Sequence, residues 1–199
     1  NDYLEHLNAG NGIYRYTNLN NSDVYFNENI QRLIQNYRSS FLQLGLENLY
    51  SGEENGKSKT LDILFKMDNY FPQDVIPTTD PELDIQIGRI YKEAGNPEQL
   101  KIRLEAVSKR EDVSLETQMY IGQILINEFN DYEAAIQHYE KLFNEYPYIS
   151  DFLYTLVQTY AKADRNEDAI EKLNFWIQSH PNDSQAIEWL SILTETANK

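Results

Sequence analysis

Apolar side chains recur every three or four residues along most of this chain. From Asn27 onward, Ile30, Leu33, Ile34, Tyr37, Phe41, Leu44 and Leu49 fall on one stripe. That stripe predicts a helix of about six or seven turns. Gly52 and Gly56 interrupt it. A second helix follows, with Leu61, Leu64, Phe65 and Asp68 on one face, until Pro72 stops it. Pro77 and Pro81 bracket a short connection. Beyond it the same period predicts helices over 82–94, 97–110, 115–128, 131–145, 150–162, 166–179 and 184–197. The breaks carry Gly95-Asn96-Pro97, Asn130-Asp131, Pro147, Asp164 and Pro181-Asn182, residue types that favour turns. No segment alternates with a period of two, so the expected fold class is all-α. Residues 1–25 differ. Their asparagines and glycines predict an irregular lead-in, pinned by Tyr14, Tyr16 and Tyr25.

Part of this pattern repeats. Ala135 and Ala169 are 34 residues apart, as are Pro147 and Pro181. The segment from Asp131 to Pro147 and its counterpart from Arg165 to Pro181 resemble the tetratricopeptide repeat, whose period is ~34 residues. Tyr139 stands where that repeat wants an aromatic, and the next copy supplies Leu156, Tyr160, Ala169, Trp176 and Pro181. A weaker copy has Gly88, Tyr91 and Gly95, with Leu100 in place of the alanine. The weakest has Leu44, Gly45, Gly52 and Pro72. The register this implies is a degenerate N-terminal pair within 26–80, then repeats at 81–114, 116–149 and 150–183, then a capping helix at 184–199. Such repeats form a right-handed superhelical stack of antiparallel helix pairs, an α-solenoid. In the last helix, Trp189, Leu190 and Leu193 are expected to face inward, with Glu188 and Glu195 toward water.

Charge narrows the choice of partner. Lys and Arg number 17 against 32 Asp and Glu, a net charge of −15. A nucleic-acid binder needs a basic footprint for the phosphates, so the acidity argues against that class and against docking on anionic lipid. The acid is uneven: residues 1–79 carry 10 acids and 6 bases, residues 80–199 carry 22 and 11. The chain has no cysteine, which excludes disulfides, thiolate metal sites and cysteine nucleophiles. No apolar run approaches the ~20 residues of a membrane span. The chain begins at Asn1 rather than Met, and reads as a piece of something longer.

Little in the chain points to catalysis. Ser51 to Ser58 (SGEENGKS) falls one glycine short of a phosphate loop, follows no strand, and carries Glu53 and Glu54 where phosphate would sit. It reads as a turn between helices. Asp164, Asn166 and Asp168 begin like a calcium loop, but Ala169 and Phe175 replace its glycine and its closing glutamate. Helix capping by Asp164 or Asn166 is the expectation there. His6, His138 and His180 have no i, i+4 partner, so each is expected to be solvated or to cap a helix. The sequons at Asn20 and Asn182 are assigned nothing. No catalytic, cofactor or metal site is expected, and the chain is not read as an enzyme.

A second resemblance covers roughly residues 10–80. The stretches Asp23-Val24-Tyr25-Phe26-Asn27-Glu28-Asn29-Ile30-Gln31-Arg32, Asn36-Tyr37-Arg38-Ser39-Ser40-Phe41 and Leu61-Asp62-Ile63-Leu64 are similar to the soluble C-terminal region of bacterial multi-span membrane proteins resembling protein O-mannosyltransferases. Leu42-Gln43-Leu44 and Met67 depart from that family's pattern. This resemblance implies an extracytoplasmic location, on the periplasmic side of the inner membrane, and an accessory domain that positions an acceptor. The transferase chemistry would lie elsewhere in the polypeptide.

The tetratricopeptide resemblance implies a different kind of function, a protein-interaction module. The first helix of each pair lines a concave face that takes a peptide or a neighbouring domain, including one of the same longer polypeptide. The positions it implies are Arg89 and Lys92, then Gln123 and Asn127, then Tyr154, Gln158 and Lys162. Tyr154 is the expected aromatic anchor. The amides suit an extended peptide backbone or glycan hydroxyls. Either a ligand fills this face or residues 1–25 do.

Overall fold

The structure is a computed structural model, and it describes residues 18–197. His6, Tyr14 and Tyr16 lie outside the described residues, as does most of the lead-in. Among the described residues there are nine helices and no strand: α1 Glu28–Leu49, α2 Gly56–Tyr70, α3 Pro81–Glu93, α4 Glu98–Ser108, α5 Leu115–Phe129, α6 Tyr132–Glu145, α7 Ser150–Lys162, α8 Asn166–Ser179 and α9 Ser184–Ala197. No helix among them is long and apolar enough to cross a membrane. The bounds of α7, α8 and α9 coincide with those expected from the sequence, and Pro147 and Pro181 sit where the spacing put them. Packing divides the chain into two compact units, one ending at Asp112 and one beginning at Val113.

In the first unit α1 packs on α2 and α3 on α4, and α3 also touches α1 and α2. Asn27 starts α1, accepting a hydrogen bond from the Ile30 amide at 3.0 Å. The buried face of α1 is Ile34, Arg38, Phe41, Leu42 and Gly45. It meets Ile63, Leu64, Met67 and Phe71 around α2. Ile30 and Leu33 of the predicted stripe are exposed instead. The buried face is rotated from the predicted stripe: Ile34 is 2% exposed beside Leu33 at 51%, and the face continues through Arg38, Phe41 and Gly45. Tyr25 does not pin the lead-in. It is 87% exposed, while its neighbour Phe26 takes the buried place.

In the second unit each helix packs on the next, from α5 through α9. Ala135 and Ala169 are both fully buried, whereas Ala134 is half-buried. Tyr139 and Trp176, which follow those alanines, are buried too. The backbone repeats along with the side chains. Asn130 and Asp164, 34 residues apart, both take the left-handed conformation, with φ of 51° and 58°. Gly95 does the same in the first unit at 106°. Each closes a helix, and the next amide reaches back to Tyr91, Leu125 or Tyr160. Tyr146 and His180 precede prolines and share an extended shape, φ and ψ of −127° and 64° against −129° and 62°. Asp164 therefore turns the chain rather than capping α8, whose N-terminus has no side-chain cap.

Candidate functional site

The candidate site lies between α7 and α9 of the second unit. Asp183 precedes α9 and builds it. Its Oδ1 accepts from the Ala186 amide at 3.1 Å and from the Tyr154 hydroxyl at 2.7 Å. Its Oδ2 accepts from Trp176 Nε1 at 2.8 Å. One carboxylate thus ties α7, α8 and α9 together. Partial burial opposes its charge, but the donors from Tyr154, Trp176 and the helix amides outweigh that and hold the Asp183 carboxyl below the usual carboxylate range. Burial and the same carboxylate push the Tyr154 phenol up to about 12. The Tyr154 ring meets Trp189 edge-on, with centroids 5.1 Å apart.

One turn further along both helices the surface opens into a groove of about 220 Å³, lined by Val157, Gln158, Ala161, Trp189, Ile192 and Leu193. Pockets for cofactors and drug-sized ligands run to ~300–1,000 Å³. This one has room for one or two apolar side chains. The surface it exposes is wholly apolar, Gln158 included, which lines it through its aliphatic stem. It holds no nucleophile and no acid–base pair.

The residues expected on the concave face divide between the units. Arg89 and Lys92 lie on α3 of the first unit, both half-buried and both with interactions inside the chain. Gln123 and Asn127 are exposed one turn apart on α5. Gln158 and Lys162 are exposed one turn apart on α7. Gln158 reaches the groove. Tyr154 shares its face of α7, but its hydroxyl is spent on Asp183 and its ring on Trp189, so it braces α9. In α9, Trp189, Leu190 and Leu193 are half-buried and Glu188 and Glu195 exposed, as the pattern anticipated. Sequence reasoning missed Asp183, noticed only as the middle of a sequon. It also missed Ile192, which the inward stripe omitted. An acid immediately before an Ser-led helix is an N-cap signal that could have found Asp183.

Sequence reasoning also missed a buried polar cluster in the first unit. Arg103 of α4 pairs with Asp84 of α3, and its Nη2 lies 2.6 Å from Asp68 of α2. The Tyr91 hydroxyl donates to the same Asp68 oxygen at 2.7 Å. Arg103 and Asp84 are only 4% and 5% exposed. Burial pushes the Tyr91 phenol far above its ordinary range. Burial also opposes the Arg103 charge, but the two carboxylates outweigh it and hold the guanidinium protonated. Each acid here is bound by Arg103, so the cluster joins α2, α3 and α4. Asp68 had been placed on an apolar stripe; a charge at such a position is the signal for an internal partner.

The two described histidines, His138 and His180, both bond or stack within the chain. His138 Nε2 lies 2.7 Å from the Gln118 carbonyl, which can only accept, so Nε2 carries the proton. Burial lowers its pKa, so His138 is a neutral bridge from α6 to α5 rather than a solvated or capping group. His180 ends α8 stacked on Trp176, centroids 3.7 Å apart. The Ser51–Asn55 segment is the turn between α1 and α2, where Lys59 holds Glu53 at 2.6 Å. Asp168 of the calcium-like run is taken by Arg165 at 2.7 Å. Compared with family models, curated proteins and solved structures, the chain gives no match in any of the three.

Proposed function

We propose that the chain is a non-catalytic protein-interaction module of tetratricopeptide type. It is a right-handed superhelical stack of antiparallel helix pairs that offers the first helices of its pairs to a peptide or a neighbouring domain. The observation that carries this reading is the α7–α9 groove, an apolar slot between two first helices, sized for side chains rather than for a cofactor. The recurrence of buried alanines and left-handed turns at a spacing of 34 residues supports the repeat. Exposed amides at Gln123, Asn127 and Gln158, with Lys162, supply hydrogen-bonding groups on those same helices. Peptides displayed on phage and selected on the whole chain test the reading. Binders are expected to lose about tenfold in affinity, ~1.4 kcal/mol, when Ala161→Trp fills the groove. Binders indifferent to that substitution would place the binding face elsewhere.

The resemblance over residues 10–80 supports a location for the module: an extracytoplasmic tail beside a membrane-embedded transferase, positioning its acceptor. Reading the gene on either side of this segment tests it. Many apolar spans upstream are expected, and their absence removes the proposal.

A further inference from the structure

We propose that the occupant of the α7–α9 groove is a cationic segment of a partner, which inserts one aliphatic or aromatic side chain between the helices with Lys or Arg on either side of it. This rests on the reading of the groove as a binding face and adds the chemistry of what binds there. The slot itself selects an apolar anchor. Val157, Ala161, Trp189, Ile192 and Leu193 line it, and Ile192 remains 54% exposed. The slot exposes no polar surface, and Gln158 is an exposed amide at its edge.

Charge decides among occupants. Glu188 and Glu195 are exposed on α9, either side of the lining run Trp189 to Leu193 in sequence, while Asp151 lies in the first turn of α7 and Asp183 before α9. Lys162 is the one basic residue on the described parts of these two helices. The Asp183 carboxyl is held ionised by its donors, Tyr154, Trp176 and the Ala186 amide. Residues 113–199 as a whole carry 14 acids and 5 bases. A second copy of the chain would bring the same excess of negative charge to the slot, and an acidic peptide would do likewise. Opposite charge both speeds encounter and selects against wrong partners.

Trp189 makes the test direct, because it lines the groove while Trp176, the only other tryptophan, is buried. The probes are three twelve-residue peptides titrated into the full chain while tryptophan emission is read. One has a central Leu-Phe pair flanked by lysines, one has the same pair flanked by glutamates, and one has the lysines with Ser-Ser at the centre. The lysine peptide with the apolar pair is expected to bind at least about tenfold tighter than either control. It is also expected to weaken about tenfold between 0.05 and 0.5 M salt, as screening shortens the reach of the carboxylates. Ala161→Trp is expected to abolish the response. The double variant Glu188→Lys, Glu195→Lys, which leaves the slot open, is expected to weaken it several-fold. Equal binding of the lysine and glutamate peptides, both lost in Ala161→Trp, would overturn the charge of the occupant and leave the groove standing. Lysine-peptide binding that ignores both Ala161→Trp and the apolar pair would overturn the proposal as mere adhesion to an acidic surface. A dimer by sedimentation that Ala161→Trp dissociates would make the occupant a second copy. A monomer that binds none of the peptides would overturn this proposal, and with unaltered phage selection the binding face as well.

Discussion

Tyr139 fills the space in front of Gly122 so completely that a Cβ on residue 122 would overlap its ring. The ring cannot retreat. It is fully buried, and its hydroxyl donates to the Met119 carbonyl at 2.9 Å. Gly122→Ala would gain ~1 kcal/mol of helix propensity. Overpacking costs ~1–3 kcal/mol, so the net expectation is a loss of ~1–2 kcal/mol, read by urea unfolding. Arg38 makes the opposite kind of demand. It is fully buried, and its guanidinium donates to the Phe71 carbonyl at 2.8 Å and also to the Ile76 carbonyl. It further lies over the Phe71 ring, 5.9 Å from the centroid. Burial pulls its pKa down to about 10 against the pull of Asp68 and Asp84, which still leaves it charged at neutral pH. Arg38→Met would orphan two buried carbonyls, each costing ~1–3 kcal/mol, so a loss of ~2–5 kcal/mol is expected. Arg38→Lys is expected to recover only part of it, because a point charge cannot replace the planar fork. Equal stability of the methionine variant and the natural chain would show that Arg38 does not hold the 71–80 connection.

At the scale of the element, α9 depends on Asp183. Its folded pKa lies below that of an unfolded aspartate, ~3.9. The stability it contributes is therefore fully present above the unfolded value and is lost as pH falls through the folded one. The second unit is expected to lose stability as pH falls below about 5, and Asp183→Asn is expected to flatten that slope. An unchanged slope in the asparagine variant would remove Asp183 as the tie. The helices themselves were legible, because Gly, Asn, Asp and Pro mark nearly every break and the apolar period is unbroken between them. What was not legible follows from partners distant in sequence. The exposure of Ile30 and Leu33 beside buried Ile34 reflects which side of α1 its neighbours cover, which no property of α1 reveals. Arg38 is absent from the predicted apolar stripe, and the carbonyls it satisfies are 33 and 38 positions away.

At the scale of the whole molecule, the proposed binding face draws on α5, α7 and α9. Of the residues expected on it, Gln123, Asn127, Gln158 and Lys162 are exposed on α5 and α7. Tyr154 was misread as an anchor because its partner, Asp183, is 29 residues away and belongs to the next element. The groove owes its shape to Trp189 and Ile192, where α9 meets α7, and a single helix pattern cannot show which apolar residues stay uncovered when two helices meet. The most direct test of the central claim is photo-crosslinking in cells that make the natural protein. A benzophenone side chain is placed at Gln123 or Gln158 on first helices, and at Gln137 or Glu171, exposed positions on the second helices α6 and α8. Discrete adducts are expected from Gln158, with Gln123 next, and none from the other two. Adducts from Gln137 and Glu171, with none from Gln158, would contradict the claim that this face binds.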